Sequence, residues 1–261
     1  MLKLKPLFTL LYVLLLSTLV ACATTPEEEE FEDADKTAGA LYEEAKSALS
    51  QEDYETAIQK LESLEARFPF GKYAQQAQLD IAYAYYKFEE PESAVSSANR
   101  FIKLYPRHPY VDYAYYLKGL VKFNQGQSVF DSLDSQDPAQ RDPESVRRSF
   151  QYFNELVSRF PASKYAPDAV ERMKYLRNNL ARHELFAAQH YMKRNAYVAA
   201  ANRAKYIVQH FGNTPTVPDA LLLMAEAYDK LKLNDLAADA RRVYEFNYKA
   251  IEKEEKLLKF L

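Results

Sequence analysis

One stretch constrains this chain more than any other: Glu52 to Pro69, Glu-Asp-Tyr-Glu-Thr-Ala-Ile-Gln-Lys-Leu-Glu-Ser-Leu-Glu-Ala-Arg-Phe-Pro. Apolar residues at Tyr54, Ala57, Ile58, Leu61 and Leu64 fall on one face of a helix. Pro69 ends it, because proline has no amide to donate and pushes the residue before it out of the helical region. Thirty-seven residues later Ala94, Phe101 and Leu104-Tyr105-Pro106 stand where Ala57, Leu64 and Arg67-Phe68-Pro69 stood. Ser149, Phe153, Leu156 and Arg159-Phe160-Pro161 repeat the pattern again. No single unit of this kind buries its own apolar face, so the chain must stack its units.

A period of this size, with small, aromatic and proline markers, specifies helix pairs of the tetratricopeptide type. The expected fold is all-α, a tetratricopeptide-like solenoid of about five helix pairs. Small residues mark the crossings, each twelve positions apart: Ala45 and Ala57, Ala82 and Ala94, Ala188 and Ala200. Small side chains there let ridge meet groove closely. In the third pair the spacing breaks, since Gly119 to Ser149 is thirty, which predicts an insertion at about 125–140. Asp142-Pro143 then predicts a helix start. From Ala166 to Arg194 the helical pattern is broken only by Pro167 in its first turn, predicting one long linking helix. In the fifth pair the turn reads as a residue or two longer, leaving Ala237 and Ala238 to compete for the crossing. Beyond Tyr244 the chain reads as a further helix whose charges, Lys249 among them, give the last repeat a polar outer face.

The first residues are a separate matter. Lys3 and Lys5 precede an apolar run from Leu7 to Val20, the make-up of a secretory signal over residues 1–21. Its ending, Leu19-Val20-Ala21-Cys22, resembles the lipobox of bacterial lipoproteins. That resemblance implies cleavage before Cys22 and a lipid on its sulfur, with Ala23 implying sorting to the outer membrane of a Gram-negative cell. The plainer reading is an ordinary signal with a chance cysteine. Residues 22–36 carry Glu27 to Glu30, Glu32, Asp33 and Asp35 and read as a solvated tether. The remainder divides into 37–165, the amino-terminal pairs, and 166–261, the linking helix and carboxy-terminal pairs.

Composition narrows the function. The net charge of −3 leaves no basic excess for nucleic acid. Five glycines argue against a glycine-rich phosphate cradle. His108, His183, His190 and His210 lack close metal-ligand spacing. His183-Glu184 begins a zinc-protease motif, but Ala187 stands where the second histidine is needed. Cys22 is the only cysteine, and no serine sits in a nucleophile elbow. No metal, no cofactor beyond the lipid on Cys22 and no catalysis are expected, so function must lie in surfaces. First helices line the inner side of such a stack. Residues just off their packing face are Tyr42, Leu49, Leu79, Tyr83, Tyr86, Tyr113, Tyr116, Leu120 and Phe123, a groove suited to an apolar peptide.

One resemblance goes further. Arg67-Phe68-Pro69-Phe70-Gly71-Lys72-Tyr73-Ala74-Gln75-Gln76-Ala77-Gln78-Leu79-Asp80, with Ile81 to Lys87 following, resembles the BamD (ComL/YfiO) family. So do His108-Pro109, Asp112-Tyr113, Gly119-Leu120, Arg141-Asp142-Pro143 and Asn202-Arg203. These are lipoproteins of the β-barrel assembly machine. The resemblance implies binding to the periplasmic POTRA domains of BamA and to unfolded outer-membrane β-barrel proteins, with other Bam lipoproteins as candidate partners. Substrate is implied on the amino-terminal pairs and BamA on the carboxy-terminal ones, where Arg203 is the implied contact, with Asn202 beside it on the second helix of the fourth pair and Tyr197 in the turn before. The alternative is a lipoprotein scaffold for cell-wall synthesis or another envelope complex.

Overall fold

The computed structural model describes residues 36–125 and 143–249. Cys22, the acidic tether, the insertion beyond Gln125, Asp142 and the tail from 250 lie outside the described residues. Among the described residues ten α-helices follow one another: α1 (Ala38–Ser50), α2 (Tyr54–Arg67), α3 (Lys72–Lys87), α4 (Pro91–Leu104), α5 (Val111–Gln125), α6 (Pro143–Arg159), α7 (Ala166–Lys193), α8 (Tyr197–His210), α9 (Val217–Lys230) and α10 (Asn234–Asn247). They form five antiparallel pairs. The first helices α1, α3 and α5 touch in succession, as do α7 and α9, and they make the inner layer.

The same local device closes four of the pairs. Glu52, Glu89, Asn195 and Lys232 all take a left-handed backbone, with φ of 60, 61, 60 and 61°. In each, the following amide reaches back five residues: Asp53 to Ala48, Glu90 to Tyr85, Ala196 to Tyr191 and Leu233 to Tyr228. This is the Schellman closure that satisfies the last carbonyls of a helix, here made without glycine. Lys232 follows Asn195 by the same thirty-seven residues that separate Glu52 from Glu89, so the fifth turn is no longer than the others. Ala237 accordingly takes the crossing and is fully buried, while Ala238 is exposed. Second helices also end alike. The amides of Phe68, Tyr105, Phe160 and Phe211 donate to Leu64, Phe101, Leu156 and Ile207, each at 2.8 Å. Proline follows the first three directly.

The crossing residues are sealed. Ala45, Ala57, Ala82, Ala94, Ala188 and Ala200 have no exposed surface. The third pair crosses closest. The Ser149 hydroxyl donates to the Gly119 carbonyl at 3.0 Å, and the Phe153 ring lies where a Gly119 side chain would be. The core is continuous through α7. Ala169 and Leu176 in its first half pack with Phe101, Tyr115, Phe153 and Leu156. Leu185 in its second half packs with Ile207, Val217 and Leu221. On α10, Leu236, Val243 and Phe246 stay exposed, so the outer face of this last described helix is less polar than its charges suggest.

Candidate functional site

The inner layer of the first three pairs gathers tyrosines around carboxylates. On α3 every residue from Ala77 to Ala82 is buried, which encloses Asp80 between Leu79 and Ile81 on a helix packed against its neighbours before and after. Its carboxylate accepts from the Tyr42 hydroxyl at 2.9 Å and from Gln76 Nε2 at 3.1 Å, with Lys46 Nζ at 3.8 Å. Burial, reinforced by this charge, pushes the Tyr42 phenol well above its ordinary range. Burial does the same to Tyr113, whose phenol lies near Tyr83, Tyr165, Asp80 and Tyr86. A second knot joins α5 to α7. Tyr116 stacks on Tyr165 with ring centres 4.8 Å apart and donates to Asp168 at 2.6 Å, while Arg172 Nε holds the same oxygen at 2.6 Å. Burial and the Asp168 hydrogen bond raise Tyr116 to about 12. Burial opposes ionisation of Asp168, but the hydrogen bonds from Arg172 and Tyr116 outweigh it and hold the carboxyl below its ordinary value.

The expected groove residues therefore divide. Tyr42 reaches α3 through Asp80, and Tyr83, Tyr86 and Tyr113 pack around one apolar cluster. Tyr116, Leu120 and Phe123 are half-buried against the third-pair core, and Arg172 lies over the Phe123 ring at 4.7 Å. Leu79 is a correction. It is a core residue, packed with Phe101 and Val111, because α3 is covered on more than one side and a position just off its main packing face is still enclosed. Leu49 is half-buried near the end of α1, away from the aromatic cluster.

The carboxy-terminal candidates sit on α8. The Arg203 guanidinium donates to Glu184 of α7 at 2.7 Å, its side chain 47% exposed against 7% for the glutamate. That hydrogen bond raises the arginine further above its already high range. Asn202 beside it is exposed, and the Tyr197 hydroxyl turns back to Asn195 at 2.7 Å. Val198 and Tyr206 share the exposed face of Asn202. Between α7 and α9 an open depression of about 540 Å³ is lined by Met192, Leu222 and Leu223 with Lys193, Asp219 and Glu226.

Sequence reasoning missed Asp80, Asp168, Arg172 and Glu184 as organisers. Asp80 carried a signal, the lone acid of its helix, set directly between Leu79 and Ile81. So did Glu184, four residues before the Ala188 crossing, as Arg203 is three after the Ala200 crossing on the antiparallel partner. Among the described residues no group of His, Cys, Asp and Glu is arranged to hold a metal, and no helix is long and apolar enough to cross a membrane.

Residues 34–243 match the sequence model of the YfiO family, outer membrane lipoproteins. The chain belongs to this family. It is 47% identical over 241 residues to the outer membrane protein assembly factor BamD of Neisseria gonorrhoeae, covering 92% of this chain and 90% of that one. It is 36% identical to the protein of the same name from Vibrio cholerae, covering 92% of this chain and 98% of the other. Among solved structures, that of MamA overlaps 85% of this chain and 94% of its own with a TM-score of 0.39 and 16% identity.

Proposed function

We propose that this family member is a non-enzymatic scaffold of the outer-membrane β-barrel assembly machine, held to the outer membrane by a lipid on Cys22. The observation that carries the proposal is the near full-length likeness to assembly factors, at up to 47% identity. In this reading the chain stands on the periplasmic side, and its first three pairs receive extended segments of unfolded outer-membrane proteins. Tyr83 and Tyr86 offer rings to apolar side chains and hydroxyls to peptide groups. The carboxy-terminal pairs dock the POTRA domains of BamA through the face carrying Arg203 and Asn202, with Tyr197 shaping the turn beside them. The arginine is half-exposed and pre-set by Glu184, which reduces the ordering cost of an ion pair with a partner.

Two binding measurements test the division. Tyr83→Ala with Tyr86→Ala should weaken a substrate peptide and leave BamA affinity unchanged. Arg203→Gln combined with Glu184→Gln should do the reverse, without stranding a buried acid. If both variants lose both partners equally, the two-site division is wrong.

A further inference from the structure

We infer that the edge of the first three pairs formed by their connecting loops rests on an anionic phospholipid surface. This inference builds on the lipid anchor at Cys22. In an antiparallel stack the first helices all begin at the edge where the second helices end. Here that edge holds the start of α1 and the α2–α3, α4–α5 and α6–α7 connections. Contacts tie its parts in two groups, the start of α1 with the α2–α3 connection and the α4–α5 connection with the α6–α7 one. Arg67 donates to the Lys36 carbonyl at 3.2 Å, the Tyr42 and Tyr73 rings lie 5.5 Å apart, and Ser163 donates to Asp112 at 2.6 Å. The α8–α9 connection is not part of it, because Arg177, midway along α7, bonds the His210 carbonyl and sets the last pairs back along that helix.

Three features of this edge point to lipid. Residues 68–75, 103–111 and 159–167 contain no acid, and Lys72, Lys103, Arg107 and Lys164 are all exposed there. The nearest carboxylates are engaged: Glu44 with Lys36, Asp112 with Ser163, and Asp168 with Tyr116 and Arg172. The edge also shows apolar groups to solvent: Phe70 at 90%, Tyr110 at 52% and Leu104 at 51% exposure. Gly71, at φ 103° with open space around it, makes the turn beside the bare Phe70 ring. Rings and cations side by side are the make-up of a surface that enters a headgroup layer. Finally, the chain from Cys22 joins the fold at Lys36 on this same edge, and fourteen residues reach at most about 50 Å. The opposite edge, with Glu52, Asp53, Glu89 and Glu90 in its turns, is acidic. An acyl chain together with a basic patch is one of the two-signal arrangements that hold a chain stably at a membrane.

The chain contains no tryptophan, so a single one reports its own surroundings. The lipidated full chain carrying Phe70→Trp is placed in vesicles of phosphatidylethanolamine and phosphatidylglycerol, a share of them brominated near the headgroups. Phe88→Trp, on the acidic edge, is the matched control. Flotation with the vesicles, lost in Cys22→Ser, reads the anchor; bromine quenching reads the edge. The expected result is a blue shift and quenching for Phe70→Trp only. Lys72→Gln with Arg107→Gln should weaken that contact by about thirtyfold, at roughly fivefold per cation near an anionic surface. A chain that floats but whose Phe70→Trp indole is not quenched overturns the inference and leaves the anchor standing. A blue shift without quenching also overturns it, and assigns the edge to the acidic tether or another protein surface.

Discussion

Replacing Gly119 by alanine tests the closest crossing in the stack. A β-carbon at Gly119 would lie 2.3 Å from Cε1, 2.4 Å from Cδ1 and 2.8 Å from Cζ of Phe153. None of these distances is tolerable between carbons, so the ring or the helix must move. The ring has nowhere to go. Phe153 is fully buried, with Tyr116 and Phe123 at 5.9 and 6.3 Å between ring centres. Moving α5 away from α6 would break the Ser149 bond to the Gly119 carbonyl. Overpacking of this kind costs about 1–3 kcal/mol, and more when a rigid ring is the obstacle. Removing glycine from a helix interior returns about 1 kcal/mol. With the clash at the upper end, about 3 kcal/mol, a net loss of about 2 kcal/mol is expected, a fall in Tm of about 4–8 °C for a fold of this size. Circular dichroism melts of the wild type, Gly119→Ala, Phe153→Leu and the double variant separate the clash from other effects. Phe153→Leu should itself destabilise by opening space, and Gly119→Ala should then cost little, a favourable coupling of more than about 1 kcal/mol. A Gly119→Ala variant melting at or above wild type, or a double variant equal to the sum of the singles, would refute this packing.

Two further outcomes follow from the same geometry. Lys232→Gly should raise stability by up to about 1 kcal/mol, since a left-handed non-glycine residue is strained and the closure keeps its bonds; a chemical denaturation midpoint that falls would contradict this. Tyr116 gives a pH signature. The folded chain keeps this phenol protonated to about 12, whereas the unfolded one loses its proton near 10.0, so between these values the folded state binds more protons. Stability from this group is therefore whole below pH 10 and lost as pH rises toward 12. Tyr116→Phe should remove a late-titrating phenol from the ultraviolet absorbance titration, and an unchanged high-pH limb would count against the Asp168 bond.

How much of this was legible in the sequence follows from where each constraint resides. Helix number, pairing and crossing residues are local or periodic properties. Ala57, Ala94 and Gly119 could be placed because size at a crossing is demanded by geometry alone. The left-handed closures were not visible, because Glu52 and Lys232 carry none of the glycine that usually marks them. Leu79 went wrong because a helix enclosed on several sides buries residues that a one-sided pattern assigns to a groove. The tyrosines were found by type, but their carboxylate partners were not. Tyr116 and Asp168 are 52 positions apart in sequence, and only the stacking of α5 on α7 brings them together. Arg203 was reached by resemblance alone. Its internal partner Glu184 changes what a substitution there means, because Arg203→Glu sets two acids together and disturbs the fold along with any docking.

The measurement that bears most directly on the scaffold claim is affinity purification of the tagged, lipidated chain from detergent-solubilised envelopes. It is run beside Glu184→Gln and the Glu184→Gln with Arg203→Gln double variant. The expected result is a large β-barrel protein with periplasmic repeat domains retained by the wild type and by Glu184→Gln, and lost from the double variant while its melting curve stays that of Glu184→Gln. Cell-wall enzymes in all three preparations, with no barrel protein in any, would contradict the assembly role.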